Sequence, residues 1–146
     1  MTAAMFLVEP GSITSATQTF TLDGDEGRHA ATVKRMRAGE VINLADGKGT
    51  RAIATVTEVH KHKIDVSIDQ VTFEDAPEPR FVVVQALAKG ERAELAVEML
   101  TEVGADVIIP WKAEHSIGKW DSVEKGLEKW RRTARESSKQ SRRAWI

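Results

Sequence analysis

The part of the chain that most constrains its fold is a strand–helix–strand pattern at residues 81–111. Phe81–Leu87 is a continuous apolar run, typical of a strand buried on both faces, and Val107–Ile109 is a second such strand that stops at Pro110. Between them, Glu91–Val103 has acidic residues in its first turn and a glycine just beyond its end, which predicts a helix. Two strands joined by a helical crossover run parallel, so we predict a βαβ unit.

This βαβ unit is smaller than the sheet that its composition requires. Parallel sheets occur almost only as larger arrays that helices cover on both faces. The sequence stops at Trp145 and Ile146, apolar residues where a further strand would begin. We therefore expect a fragment, or a sheet that a partner chain completes, rather than a complete two-stranded domain.

The first 70 residues are predicted to be rich in β-strands. The strand candidates are Met5–Val8, Thr17–Leu22, Val41–Ala45, a segment from Ala52 to about Val59, and one from Ile64 to Ile68. A short helix is expected from Asp23 or Asp25 to about Arg35, with Gly39 ending it. Asp46–Gly49 predicts a hairpin, because both of its glycines accept positive φ. These elements indicate a compact, mostly antiparallel barrel or sheet with one helix.

Residues 72–80 separate the two regions. They contain two prolines and three acidic residues, which disfavour pairing in a sheet. We predict a first domain at residues 1–74, a linker at residues 75–80 and a second domain at residues 81–146.

A long helix that opens at Asp121 or Ser122 is the main basic segment of the chain. Its apolar positions recur at helical spacing and predict one buried stripe: Trp120, Val123, Leu127, Trp130 and Ala134. Residues 1–111 carry 11 Lys/Arg against 17 Asp/Glu, a net charge of −6, whereas residues 112–146 carry 10 against 5, a net charge of +5. A basic segment on an acidic body suggests a surface for a polyanion, although charge alone favours a solvated helix face.

Composition excludes several classes of protein. Without cysteine, the chain has no disulfide scaffold, no thiolate zinc site and no cysteine nucleophile. No run of about 18 apolar residues is present, which argues against a membrane-spanning helix. The N-terminus lacks the basic segment of a secretory signal, so we expect a cytoplasmic protein.

Internal evidence for catalysis is weak, and catalytic residues are not assigned. The turn Ala88–Glu91 has a single glycine and matches neither the dinucleotide-binding nor the P-loop pattern. His60 and His62 would share one face but have few acidic neighbours, so we expect a solvated basic turn and no metal site. Basic residues recur along the chain beside a small β-rich region, and this pattern favours RNA binding.

Several short motifs in a fixed order carry a resemblance to a known family. They are His29–Glu40 followed by Leu44–Gly47, then Gln85–Gly90, Thr101–Ala105, Ile109-Pro110, Glu114–Ser116, and finally Glu136 with Gln140–Arg143. In this order the chain resembles the N-terminal part of the ribosomal RNA small subunit methyltransferase E family. Two positions depart from the family pattern: Lys34 replaces an apolar residue, and His115 replaces an arginine. The second change makes a phosphate contact at that loop dependent on pH, because histidine is mostly neutral near pH 7.

The resemblance implies a small PUA-like β-barrel domain followed by the first part of a SPOUT-type α/β methyltransferase domain, with the trefoil knot missing from this sequence. It implies an enzyme that methylates N3 of a uridine in 16S ribosomal RNA and works as a homodimer. The cofactor would be S-adenosylmethionine, whose site is expected in the missing C-terminal part, so the chain alone should be inactive. The expected partner is the small ribosomal subunit or its RNA.

Under this hypothesis we expect nine basic residues to contact RNA, with Arg143 nearest the chemistry. They are Arg28, Lys34, Arg35, Arg37, Lys89, Arg92, Arg132, Arg142 and Arg143. Two alternatives stay open. Residues 1–75 could act alone as a non-catalytic RNA-binding module, or the helix at residues 122–143 could pack on another chain with its basic face merely solvated.

Overall fold

The chain divides between Ala76 and Pro77 in the computed structural model, which describes residues 3–146. The first compact unit comprises residues 3–76 together with Trp145, and the second comprises residues 77–144 together with Ile146. Among the described residues, no helix combines the length and the apolar character that crossing a membrane requires.

The first unit is built on a five-stranded sheet. Its elements are β1 (Ala4–Leu7), β2 (Thr19–Leu22), α1 (Gly24–Arg28), a π-helical turn (His29–Val33), β3 (Val41–Ala45), β4 (Thr50–Val59) and β5 (Ile64–Phe73). The strand order is β1-β3-β4-β5-β2, and every pairing is antiparallel except that of β1 with β3. The predicted, mostly antiparallel sheet is confirmed. Within the described residues no ladder joins β1 to β2, so both remain edge strands.

Alternating side chains of these strands form the core of the first unit. The largest apolar residues on the inward face are at most 1% exposed: Phe6, Ile42, Leu44, Ile64 and Val66. The predicted hairpin joins β3 to β4. Its Asp46 Oδ1 accepts hydrogen bonds from the backbone nitrogens of Lys48 (2.7 Å) and Thr50 (3.0 Å), and Gly47 and Gly49 take positive φ. The sequence pattern therefore located this turn correctly.

One strand boundary and the type of one helix differ from the prediction. The helical segment ends near Arg35, as predicted, but α1 stops at Arg28 and a π turn completes the segment before Arg35 takes the left-handed conformation. Strand β5 extends to Phe73, because Thr72 and Phe73 pair with the start of β4 instead of belonging to the proline-rich spacer.

The second unit is the predicted βαβ arrangement followed by a long helix. Its elements are β6 (Val82–Ala86), α2 (Arg92–Glu102), β7 (Val107–Trp111) and α3 (Val123–Ser141). Strands β6 and β7 pair in parallel, as predicted. The prediction that the second strand stops at Pro110 was wrong, since Pro110 lies inside β7 opposite Gln85. A proline is tolerated there because β7 pairs on one side only within the described chain, and an edge strand does not need every N–H group.

One face of the β6–β7 sheet packs against the helices. Leu87, Ala93, Val97 and Trp130 form the buried cluster, with Ile108 against it. Ser122 caps α3, since its hydroxyl accepts from the Lys125 backbone nitrogen (3.3 Å), as the sequence suggested. The buried stripe of α3 is shorter than predicted. Val123 is 66% exposed, because it sits in the first turn, ahead of the part of α3 that meets the core.

The opposite face of the β6–β7 sheet is bare. Val82, Val84, Ile109 and Trp111 project from it and are between 44% and 58% exposed. We call these four residues the bare sheet face. Large apolar side chains clustered on a parallel sheet are ordinarily covered by other elements. This exposed face is therefore the part of the sheet that the sequence predicted to need covering.

Candidate nucleic-acid interface

Four of the expected RNA-binding residues lie together on the first unit, around the π turn. We call Arg28, Lys34, Arg35 and Arg37 the turn cluster; all four are exposed. The structure shows no hydrogen bond or ion pair from any of these four side chains to another described residue. A group of exposed cations without counter-charges is suited to phosphate oxygens, which set the register of a protein on nucleic acid.

Backbone hydrogen bonds fix the conformation of this turn. Lys34 N donates to His29 O (2.8 Å), closing the π turn, and Met36 N donates to Ala30 O (3.1 Å). The Met36 side chain packs against the core of the first unit. Two anchored residues therefore flank Arg35, so its backbone has little freedom to relax.

The neighbouring side chains also support the turn. The His29 ring meets Phe6 edge to face, with ring centroids 6.0 Å apart, and is half-buried. Glu40 Oε2 accepts from the backbone nitrogen of Arg37 (3.1 Å). Because that carboxylate binds backbone, it leaves the Arg37 guanidinium available to a ligand.

Lys89 and Arg92 lie together on the second unit, after the carboxyl end of β6 and at the start of α2; both are exposed. The loop after β7 packs beside them. A Cβ on Gly118 would overlap the Leu87 carbonyl oxygen, so only glycine permits this approach. His115, the second of the two departures from the family pattern, is exposed in the same loop. Carboxyl ends of parallel strands are where ligands usually bind in open α/β sheets.

The remaining basic residues of α3 differ in their surroundings. Arg132 is exposed, whereas Arg142 is half-buried and takes a left-handed conformation (φ 56°) at the end of the helix. Lys129, on the basic face, forms an ion pair with Glu94 of α2 at 3.0 Å. The basic surface of α3 is thus partly used in holding α2 and α3 together.

Arg143 is turned into the second unit and its guanidinium is occupied. Nη1 donates to the carbonyls of Thr101 (3.1 Å) and Ala105 (2.5 Å), and Nη2 contacts Asp106 Oδ1 at 3.2 Å. The other Asp106 oxygen accepts from the Phe81 backbone nitrogen at 2.8 Å. Arg143 therefore ties the end of α3 to the end of α2 and to the start of both strands. Sequence reasoning missed this arrangement, because nothing in the spacing links residues 37 positions apart.

A separate polar cluster lies where β4, β5 and β2 meet. Asp65 accepts from the Thr21 hydroxyl (2.6 Å) and contacts His60 Nε2 (2.7 Å), while His60 Nδ1 lies 3.9 Å from Glu58. The hydrogen bond from Thr21, and then that from His60, lowers the pKa of the Asp65 carboxyl below its ordinary value. Ligand atoms of Glu58, His60 and Asp65 lie within 4.8 Å of one another. The short hydrogen bonds that Asp65 makes explain why these side chains lie together, without a bound metal ion.

The second unit also contains a cavity of about 240 Å³ between α2, α3 and β7. Ile108, Leu127 and Ala134 contribute to its apolar wall, and the Asp106–Arg143 pair lines it as well. Trp130 Nε1 and Ser138 Oγ are buried beside it, and neither has a hydrogen-bond partner among residues 3–146. The cavity is below the roughly 300 to 1,000 Å³ of typical sites for larger ligands.

Comparison with known proteins agrees with this geometry. A family described as "RNA methyltransferase PUA domain" matches residues 22–69, and one described as "RNA methyltransferase domain" matches residues 75–146. A Mycobacterium tuberculosis protein named Ribosomal RNA small subunit methyltransferase E is 41% identical over 148 residues, covering 100% of this chain and 56% of that protein. The chain belongs to the ribosomal RNA small subunit methyltransferase E family. The resemblance inferred from the motifs is confirmed.

Other members of the family extend the comparison. The Bacillus subtilis protein of the same name is 31% identical over 128 residues, which cover 86% of this chain and 50% of that protein. The crystal structure of the Neisseria gonorrhoeae family member, bound to S-adenosyl methionine, superposes with a TM-score of 0.85 at 27% identity, covering 99% of this chain and 60% of that one. The chain thus spans about half the length of the curated relatives that it matches.

Proposed function

We propose that this chain provides the RNA-binding domain and part of the catalytic domain of an enzyme that methylates N3 of a uridine in 16S ribosomal RNA. The observation that carries the proposal is the pair of family matches, which assign an RNA methyltransferase PUA domain and an RNA methyltransferase domain in the order of the two units. The turn cluster supports the RNA-binding half, because no carboxylate of the described residues forms an ion pair with its side chains.

The proposed RNA contacts are those expected from the sequence, weighted by what each side chain touches. The turn cluster, Lys89, Arg92 and Arg132 are exposed and available. Arg143 has the weakest support as a direct contact, since three intramolecular partners already bind its guanidinium. Its support is stronger as a residue that orders the second unit.

The cofactor proposed for the reaction is S-adenosylmethionine, as in the Neisseria gonorrhoeae relative. Two features of the described residues do not fit it. The cavity of about 240 Å³ is too small, and the turn at Lys89-Gly90 lacks the glycine-rich backbone that cradles a nucleotide. We therefore propose that the cofactor site lies, with the trefoil knot, in polypeptide that the relatives carry beyond the matched region.

The proposal is tested by removing the gene that encodes this sequence and measuring 3-methyluridine in purified 16S ribosomal RNA by mass spectrometry. We expect loss of the modified nucleoside and its return when the gene is restored. An unchanged amount of 3-methyluridine would contradict the proposed reaction.

A non-catalytic RNA-binding module is the second candidate, and the turn cluster is the observation that favours it. Under this alternative, residues 1–75 would bind RNA alone. RNA binding that weakens with salt and survives deletion after Glu74, together with unchanged 3-methyluridine in the gene-deletion strain, supports the module over the enzyme.

The third possibility, in which α3 packs on another chain through its apolar stripe, loses support from the structure. Trp130 is 4% exposed and belongs to the core of the second unit, as does the half-buried Trp120. Changing Trp130 and Leu127 to alanine would therefore disturb this unit itself, and such variants could not report on self-association.

A further inference from the structure

Arg35 occupies a backbone conformation that glycine would satisfy better. Its φ is 52°, and the only other described residue with a side chain and a positive φ is Arg142. In this left-handed region the Cβ approaches the following carbonyl oxygen, which disfavours every residue that has a Cβ. Glycine avoids this contact, and asparagine and aspartate are disfavoured less than the other residues. The end of a helical segment is where glycine most often takes this conformation.

The local hydrogen bonds hold Arg35 in this conformation. Met36 N reaches back to Ala30 O, and Lys34 N reaches back to His29 O, so the residues on both sides are fixed. Met36 packs against the core, which anchors the chain immediately after Arg35. The turn therefore imposes the left-handed conformation on whichever residue stands at position 35.

The side chain of Arg35 makes no contact within the described chain that would offset the unfavourable free energy of its left-handed backbone. It is exposed, and the structure gives it no hydrogen bond or ion pair. Residues held in unfavourable backbone conformations are concentrated at binding sites, where the surrounding structure fixes them in advance. An arginine, with a planar fork of N–H donors, is suited to a phosphate group.

We propose that Arg35 is a preformed phosphate-binding group, projected by the π turn toward the RNA backbone, and that the fold gives up stability to keep it. This inference rests on the proposed RNA-binding function. It adds that one member of the turn cluster is fixed by its backbone before RNA arrives, whereas the others contribute charge alone. Fixing the group beforehand reduces the entropy lost on binding.

The test compares Arg35→Gly with Arg37→Gly in the full chain. Both variants remove one positive charge from the turn cluster, but only position 35 has a positive φ. We expect Arg35→Gly to raise the melting temperature by about 4 °C, because the backbone cost disappears. Arg37→Gly should not raise it.

Binding to in vitro transcribed 16S ribosomal RNA is measured by fluorescence anisotropy between about 50 and about 200 mM salt. Arg35→Gly should bind about tenfold more weakly and reduce the slope of log K against log salt by about one. Arg37→Gly should lose about threefold in affinity. Arg35→Lys, which keeps the charge and the backbone cost, should bind between wild type and Arg35→Gly.

Each outcome has a separate meaning. If wild type shows no salt-dependent RNA binding, the proposed RNA-binding function fails. If wild type binds but Arg35→Gly binds equally well, the phosphate-site inference is overturned while RNA binding by the chain stands. A lower melting temperature for Arg35→Gly would overturn the claim that this side chain is kept at the expense of stability.

Discussion

At the scale of single residues, Asp65 shows how a local network sets the response of the fold to acid. Its carboxylate receives the Thr21 hydroxyl and contacts His60, and both interactions favour the ionised form. The folded state therefore holds this proton less tightly than the unfolded chain does. The stabilisation is complete above the ordinary value of 3.8 and disappears as the pH falls through the lowered pKa.

We predict that Thr21→Val lowers the urea midpoint at pH values above 3.8 and makes that midpoint fall less on acidification, because it removes the largest cause of the lowered Asp65 pKa. The measurement is the midpoint of urea unfolding from about pH 2.5 to about pH 6. Thr19→Val is the matched control, since Thr19 is exposed on the same strand. Equal curves for wild type and Thr21→Val would show that the hydroxyl has no such role.

At the scale of elements, the contact between α3 and Trp120 decides whether replacing a glycine of this helix raises or lowers the stability of the fold. Gly126 lies inside α3, where alanine ordinarily adds up to about 1 kcal/mol of helix stability. Here a Cβ would overlap the indole ring of Trp120, which stands at 89° to the ring of Trp130. The packing of Trp120 against α3 therefore requires glycine at position 126, although glycine lowers the stability of a helix taken alone.

We predict that Gly126→Ala lowers the free energy of unfolding by about 1 to 3 kcal/mol, because the ring must shift within a packed cluster. Circular dichroism during urea unfolding provides the measurement. In a Trp120→Ala background the same substitution should be neutral or stabilising, since the overlap is gone. A stabilising effect in the wild-type background would contradict the packing argument.

The Arg143–Asp106 pair is a second link between elements. We predict that Arg143→Ala lowers the free energy of unfolding by about 2 to 3 kcal/mol, because two carbonyls and a carboxylate that is 11% exposed lose their donor. Arg132→Ala, on the exposed side of the same helix, should change it by less than about 0.5 kcal/mol. If Arg143→Ala instead reduces RNA affinity without changing stability, its role is contact with RNA.

At the scale of the whole molecule, the sequence predicted regular elements well and long-range pairing poorly. Alternation along β3 to β5 and the apolar runs of β6 and β7 identified their strands, because burial imposes those periods directly. The π turn depends on where Met36 is anchored, and the Arg143–Asp106 pair joins distant positions. Neither leaves a local pattern. For the candidate site, the sequence indicated the basic residues of the turn cluster, while the left-handed backbone of Arg35 required the fold.

The cofactor assignment leads to a prediction for the intact chain. Because we propose that the cofactor site lies in polypeptide beyond the matched region, isothermal calorimetry of this chain with S-adenosylmethionine should give no tight binding. The Neisseria gonorrhoeae relative, whose structure contains the cofactor, is the positive control. Tight binding by this chain would mean that residues outside our assignment form a cofactor site.

The bare sheet face has a consequence for handling the protein. Four large apolar side chains lie on one face, beside strand edges that pair with no other strand of the described chain, and they offer a surface on which chains can associate without specificity. The concentration that the purified protein can reach should therefore be limited by association between chains rather than by unfolding. Replacing Val84, which is 58% exposed, with lysine should raise the concentration at which it precipitates while leaving its unfolding midpoint nearly unchanged.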